Sequence, residues 1–380
     1  MNKRIKKSLI STILAITIFT LHPVNTFAAT SFDTSDTITL NEEYMGTLAT
    51  EKDINYYNFT TTGNDSFYKI ELRNTEATDS IGLHLYSGND VTTEVYNFVA
   101  NKASVNQDTR KLEANHTYYI AVKNPYTYTG SPIGNYKLSV TEIKDDVPDF
   151  FNNSLTIPLN KKVTYNLDAD KDSDYYKFKT SSNDSFYKIE LANSEATDTI
   201  GLYLYSEDDV TTEVFEITAS KANLSSKISK LEPNHTYYMV VKNPYEYYGN
   251  PKGAYKLNIK EIKDDAPDSF DNSIKLSLNK KSTYKLNVDG DIDYFKFKTS
   301  KKGTYTITLA NKSCSNYVGA TIYEENDVTQ KIGTVSVNKA SKDTQTFKLK
   351  ANHTYYIAVA KNYDFYNVNG EYSLTIIMKK

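Results

Sequence analysis

The chain has no tryptophan and a single cysteine among its 380 residues. One thiol, Cys314, excludes an intramolecular disulfide, so the fold must be held by apolar cores and backbone hydrogen bonds. Cys314 itself reads as a small apolar filler. Long apolar runs are scarce as well. The one candidate, Leu9 to Leu21, falls short of the roughly 20 residues that span hydrocarbon. Lys3, Arg4, Lys6 and Lys7 precede it, and Pro23 and Thr26-Phe27-Ala28 follow. That order is a secretory signal over residues 1–28, and the mature protein is expected to be exported. Histidine is nearly absent beyond it: His84, His116, His235 and His353 remain. Three of them sit at one motif position in separate segments and cannot converge on one metal. There is no H-E-x-x-H, nucleophile elbow or Walker loop. Carboxylate pairs abound, but no spacing sets two of them across a cleft as glycoside hydrolysis requires. The expectation is a protein that is not an enzyme. The signal holds four of the 44 basic residues and none of the 47 acidic ones, so the remainder carries −7. No electrostatic footprint for nucleic acid results, although an exported protein of that sign can bind cations.

Tyrosine is what the chain has in excess: 33 residues, beside 16 phenylalanines. Tyrosine suits half-buried strands and also wet binding surfaces, being apolar along its body and polar at its tip. Its distribution is periodic. Asn115-His116-Thr117-Tyr118-Tyr119 returns at Asn234 and again at Asn352, spacings of 119 and 118 residues. Asn55-Tyr56-Tyr57-Asn58-Phe59 recurs from Asp174 and from Asp293. Ser66 to Leu72 recurs letter for letter from Ser185 to Leu191, and drifts in the third copy to Thr304 through Leu309. Gly134-Asn135-Tyr136-Lys137-Leu138 closes the first copy and has counterparts at Gly253 and Gly370. One domain is therefore written three times, over 29–141, 142–260 and 261–380.

The second copy shows the local pattern best. Leu155–Leu159, Val163–Leu167, Tyr175–Lys179, Phe186–Leu191, Ile200–Tyr205, Thr212–Ile217, Lys227–Leu231, Thr236–Lys242 and Ala254–Ile259 are short. They are rich in β-branched or aromatic residues and bounded by Asn, Asp, Ser or Gly. No window shows a 3.6-residue period. The fold class predicted is all-β: three tandem antiparallel β-sandwiches of jelly-roll type. An immunoglobulin-like sandwich is the rival, without a Cys-Trp-Cys pattern to support it. Between copies, Glu142 to Asp149 and Glu261 to Asp268 are acidic and end in Pro-Asp. This is extended, self-repelling linker chemistry that predicts loosely beaded domains.

The block Asp172, Asp174, Tyr175, Tyr176, Phe178 resembles the bacterial pre-peptidase C-terminal domain family, which includes the collagen-binding domains of clostridial collagenases. So do Leu231, Asn234, Thr236, Tyr237, Tyr238 and the closing Gly253, Tyr255, Leu257. The resemblance covers nearly the whole mature chain, three times over. It implies jelly-roll sandwiches of the kind appended to secreted enzymes, often with calcium bound near the N-terminal linker.

Two groups of residues could carry function. Asp289, Asp291 and Asp293 alternate ahead of a strand, as do Asp170, Asp172 and Asp174, and clustered carboxylates suit Ca2+. The resemblance adds the linker acids Glu142, Asp145 and Asp146, and Glu261, Asp264 and Asp265. The first copy offers only Glu51 and Asp53, since Asn55 replaces the last acid. The bland alternative is a solvated turn capped by Asp side chains. The second group is aromatic. Tyr126 and Tyr128, then Tyr245, Tyr247 and Tyr248, then Tyr363, Phe365 and Tyr366 follow the N-H-T-Y-Y strand in loops where rings are hard to bury. Such rings could pack on a rod-like, Pro-rich polymer such as collagen, or fold back over a sandwich edge. Lys123, Lys242 and Ala360 stand where the collagen-binding relatives place a tyrosine. The expectation is a secreted, multivalent, non-catalytic binding protein for extracellular matrix, collagen-like, or another extended protein or polysaccharide polymer. The alternatives are a structural component of an extracellular layer or coat, a carbohydrate-binding module, and a partner of a separate protease.

Overall fold

A computed structural model describes residues 21–23 and 31–379, apart from 127, 246 and 247. Of the expected signal over 1–28, only Leu21–Pro23 is described, as a short strand running parallel to Glu43–Met45. The rest lies outside the described residues. No α-helix occurs among the described residues, and no helix there is long and apolar enough to cross a membrane. The strands form six sheets in three similar pairs, each pair a β-sandwich around its own core.

In the second domain one sheet has the order Leu155–Thr156, Ser173–Lys179, Thr236–Lys242, Ile200–Ser206, Asp209–Ala219. The other has Val163–Leu167, Gly253–Lys263, Ser185–Asn193, Leu224–Lys230. All pairings are antiparallel except that of Leu155–Thr156 with Ser173–Lys179. Ser173–Lys179 alternates cleanly, with Asp174, Tyr176 and Phe178 facing inward. Its period of two is what the pleat imposes.

The repeated motifs resolve into physical tasks. Asn115, Asn234 and Asn352 have φ of 52°, 56° and 54°, the left-handed region that asparagine tolerates better than most residues. The first tyrosine of each N-H-T-Y-Y points into the core. Its hydroxyl accepts the backbone N–H of Glu113, Glu232 or Lys350, closing the turn before the strand. The second tyrosine faces outward, where Phe32, Phe151 and Phe270 each sit among three tyrosines. Around Phe151 these are Tyr175, Tyr205 and Tyr238, with ring centroids 4.8, 5.5 and 5.5 Å away, all edge to face. The same cage recurs as Tyr56, Tyr86, Tyr119 and as Tyr294, Tyr323, Tyr356. Edge-to-face pairs contribute about 0.5–1.5 kcal/mol each beyond area burial. Gly134, Gly253 and Gly370 have φ of 138°, 120° and 132°. A Cβ on any of them would lie within 2.8 Å of a carbonyl oxygen of the facing loop. Cys314 is fully buried beside Gly370, as a filler should be.

The connections differ from the loose linkers expected. The closing strand of each copy continues through Glu142–Lys144 and Glu261–Lys263, which pair with Ser66–Tyr68 and Ser185–Tyr187. Only about five residues then separate one domain from the next, and they are fastened. Val147 and Ala266 are buried in the core of the following domain. The carbonyls of Pro148 and Pro267 accept the N–H groups of Tyr175 and Tyr294 at 3.0 Å. Repulsion among the acids is offset because a lysine from the preceding domain lies among them.

Candidate functional site: two acidic joints and three aromatic loops

Each joint is assembled from three pieces of chain. In the first, Lys111 Nζ lies 2.6 Å from Asp65 Oδ1 and 2.6 Å from Asp145 Oδ2, and 2.9 Å from Asp149 Oδ2. Lys230 repeats this with Asp184, Asp264 and Asp268 at 2.8, 2.7 and 2.9 Å. Each lysine also rests on a ring of its own domain, Phe67 at 4.5 Å or Phe186 at 4.4 Å from the centroid. Beyond the lysine lie more acids. Carboxylate oxygens of Asp145, Asp168 and Asp172 fall within 4.8 Å of one another, as do those of Asp145, Asp146 and Asp174, and of Asp264, Asp268 and Asp291. Asp184, Asp264, Asp265, Ala266 and Pro267 line a cleft of about 170 Å³ at the second joint.

The deepest of these acids are the informative ones. Asp172, Asp174, Asp291 and Asp293 are 3%, 0%, 2% and 0% exposed. In each, Oδ1 has no hydrogen-bond partner. The other oxygens are satisfied. Asp172 Oδ2 accepts the N–H of Asp168 at 2.6 Å, and Asp291 Oδ2 accepts that of Asn287. Asp174 Oδ2 accepts the hydroxyl of Tyr255, and Asp293 Oδ2 that of Tyr372. Burial, reinforced by neighbouring carboxylates, pushes Asp172 up to about 8 and Asp174 to about 10; Asp291 and Asp293 rise to about 8 and about 9. Buried, like-charged oxygens without donors are costly unless protonated or matched by a cation. An all-oxygen donor set of aspartates fits a hard divalent ion. The first domain supplies an internal comparison. Asp53 accepts the N–H of Ala49 at 2.7 Å, the N–H of Thr50 at 2.9 Å and the Thr50 hydroxyl at 2.6 Å. Asn55 donates to Tyr136 Oη at 2.6 Å and to the carbonyl of Thr47 at 3.0 Å, and its Oδ1, unpartnered like those of the aspartates, belongs to a neutral amide.

Of the acids singled out in the sequence, the structure therefore gathers Asp145, Asp146, Asp172 and Asp174 in one joint. In the other, Asp264 and Asp291 meet, with Asp265 in the cleft wall and Asp293 near enough to feel the charges of all three. It places the remaining four elsewhere. Glu142 accepts from the hydroxyls of Thr62 and Ser66, and Glu261 from those of Ser181 and Ser185. Asp170 pairs with Lys252 at 2.9 Å, and Asp289 accepts the N–H of Val368 at 3.1 Å. The residues missed are Asp65, Lys111, Asp149 and Asp168, with Asp184, Lys230 and Asp268 in the second joint. A signal existed in the repeats. The Asp, Phe and Lys of the joint recur from copy one to copy two. In copy three Lys302 stands in place of the Asp and Thr304 in place of the Phe.

The aromatic loops lie between the last two strands of each domain. Tyr126 and Tyr128 are 47% and 96% exposed, Tyr245 and Tyr248 50% and 78%, Tyr363 and Phe365 44% and 75%. Tyr247 lies outside the described residues. The loop backbones are nevertheless tied down. Asn124 Nδ2 donates to the carbonyl of Gly130 at 3.0 Å, and Asn243 Nδ2 to that of Gly249 at 2.7 Å. Thr78 and Thr197 donate their N–H groups to the carbonyls of Ile133 and Lys252, each at 2.9 Å. The third loop is built differently: Tyr363, Phe365 and Tyr366 pack on one another and on Tyr317, so its rings form one continuous patch.

One arrangement has the outline of a nucleophile and base. Ser87 Oγ lies 2.8 Å from His116 Nε2, and Ser206 Oγ the same distance from His235 Nε2, with Glu113 or Glu207 near the other ring nitrogen. The next N–H, from Gly88 or Glu207, is not free to hold an oxyanion, because it donates to the carbonyl of Thr117 or Thr236. Glu324 takes the serine's place in the third copy. These contacts anchor the turn.

No protein-family model matches the chain, and no curated protein does. Among solved structures, the chain is similar to the pre-peptidase C-terminal domain of a collagenase from Bacillus anthracis. That match has 20% identity, covers 30% of this chain and 99% of the other, and has a TM-score of 0.23. It is also similar to tripeptidyl peptidase 2, with 6% identity, 85% and 33% coverage and a TM-score of 0.25. A third likeness is to the M60 catalytic domain with two CBM51 domains of Clostridium perfringens ZmpB, with 9% identity, 89% and 34% coverage and a TM-score of 0.19. At such identities and scores these likenesses say nothing of what the chain binds.

Proposed function

We propose that the chain is an exported, non-catalytic binding protein with three presentation sites for an extended extracellular polymer, collagen-like in chemistry, and with calcium holding its two joints. The observation that carries this reading is the recurrence in all three domains of a loop with bare rings, its backbone tied down in the first two and its rings joined in one patch in the third. Exposed rings cost solvation, and on a rigid sandwich they are positioned to grip a partner. Collagen's Pro-rich, rod-like surface offers flat apolar faces at regular intervals. Three weak sites on one chain gain avidity through effective concentration. The orphaned aspartate oxygens support calcium in the two joints, at the roughly 10⁻⁴–10⁻³ M affinity common in extracellular modules. The first domain, with Asn55 and a self-satisfied Asp53, holds none.

The experiment is a surface-binding screen of the mature chain against fibrillar collagens and polysaccharides, with calcium or with chelator. Retention on collagen that falls when Tyr128, Tyr248 and Phe365 are changed together to Ala is the expected result. Unchanged retention in that triple variant would overturn the loops as the binding surface. Retention on polysaccharide alone would overturn collagen as the polymer.

A further inference from the structure

The lysine in each joint occupies ground that the surrounding acids make attractive to any cation. We propose that Lys111 and Lys230 are tethered counter-cations. Each shares a linker aspartate, Asp145 or Asp264, with the divalent-ion site, fastening the linker to the preceding domain while weakening the ion's hold. This rests on the reading of the joints as ion sites and assigns a role to a residue outside the donor set.

The sharing is geometric. Asp145 belongs to the carboxylate group with Asp168 and Asp172, and its Oδ2 is the atom 2.6 Å from Lys111. Asp264 belongs to the group with Asp268 and Asp291, and both Asp264 and Asp268 are held by Lys230, at 2.7 and 2.9 Å. The ion site does not rest on clustering alone, since Asp172, Asp174 and Asp291, themselves members of these carboxylate groups, are at most 3% exposed and each has an unpartnered Oδ1. A carboxylate has lone pairs enough for two cations at once, but the cations then repel. An ammonium about 6 Å from a dication, screened by solvent to an effective dielectric near 80, lowers the ion's affinity by about tenfold.

The third domain shows that the lysine alone does not make this arrangement. Lys348 occupies the same register position, opposite Thr304, as Lys111 does opposite Phe67 and Lys230 opposite Phe186. There it is exposed, with Lys302 standing where Asp65 and Asp184 stand. The half-buried lysine, its ring support and its domain-borne aspartate occur together where an acidic linker follows. The joint thus has two holding states. With the ion present, linker and following domain are drawn together; with the ion withdrawn, the lysine still holds the linker to the preceding domain.

The test is calorimetric titration of the mature chain with calcium chloride after chelation, for wild type, K111M, K111Q and K111R, with thermal melts to confirm folding. K111M and K111Q should each tighten one of the two sites by about tenfold and leave the Lys230 joint unchanged. K111R, which keeps the charge, should titrate like wild type. In calcium-free buffer, amide exchange at residues 145–147 should quicken in K111M and return to the wild-type rate when calcium is added. K111Q carries the test if K111M does not fold. Affinity that stays the same or falls in the folded neutral variants would overturn the counter-cation role. A wild type that takes up no calcium would instead overturn the ion reading, a separate result.

Discussion

Replacing Asp174 by asparagine copies into the second domain what the first already has at Asn55. The expected effect changes sign with calcium. In calcium-free protein, Asp174 is fully buried, has one orphaned oxygen and is pushed up to about 10 by burial and by Asp172. The unfolded chain carries it at an ordinary carboxylate value near 4. A carboxyl whose folded pKa is raised contributes fully below the unfolded pKa, and that contribution is lost as pH climbs toward the folded one. Between pH 4 and 7 the loss approaches about 4 kcal/mol as an upper bound, at about 1.4 kcal/mol per pH unit. The D174N amide has no charge to desolvate, and Asn55 shows that it can hydrogen-bond the buried tyrosine beneath. Without calcium, D174N should therefore unfold at higher temperature than wild type at pH 8, with the gap shrinking to nothing near pH 4. With millimolar calcium the order should reverse, because the variant lacks a ligand. Calorimetric melts at several pH values, with and without chelator, read both arms. A variant less stable than wild type in chelator at every pH would refute the desolvation argument. A gap indifferent to pH would show that Asp174 is not the group responsible.

Three further outcomes follow from features outside the joints. Gly253→Ala should lower the stability of the second domain by at least about 2 kcal/mol in urea unfolding, since its Cβ would meet the Glu195 carbonyl at 2.8 Å with φ at 120°. Phe151→Ala, which empties the cage of Tyr175, Tyr205 and Tyr238, should cost about 2–4 kcal/mol, seen as a lower urea midpoint with the slope unchanged. Tyr248→Ala, at a ring 78% exposed, should leave the melting temperature unchanged while weakening polymer retention; a destabilised variant would mean the ring is structural.

The parts of this molecule that could be read in one dimension are those governed by local rules. The nine strands of the second copy are all present, because alternation and bounding turns are set within a few residues. The motif asparagines could be located, and their left-handed backbone gives the reason for the residue type. The joints resisted because their partners are distant. Lys111 and Asp149 are far apart in sequence, and nothing local marks Lys111 as different from Lys348, whose place in the register is the same but whose surroundings are solvent. The linker acids looked self-repelling for the same reason: the cation that offsets them arrives from the preceding domain. The phenylalanine cages were hidden differently, since Phe151 lies outside every strand and its ring reaches three strands at once.

Val147 and Ala266 have a practical consequence for anyone dissecting the chain. Each belongs by sequence to the passage between units, yet fills a place inside the unit downstream. A fragment begun at Phe150 would start life with a hole in its interior and a lip of aspartates around it. A fragment begun at Asp145 would carry its own stopper. Where the scissors fall, by five residues, decides whether the middle unit can be studied by itself.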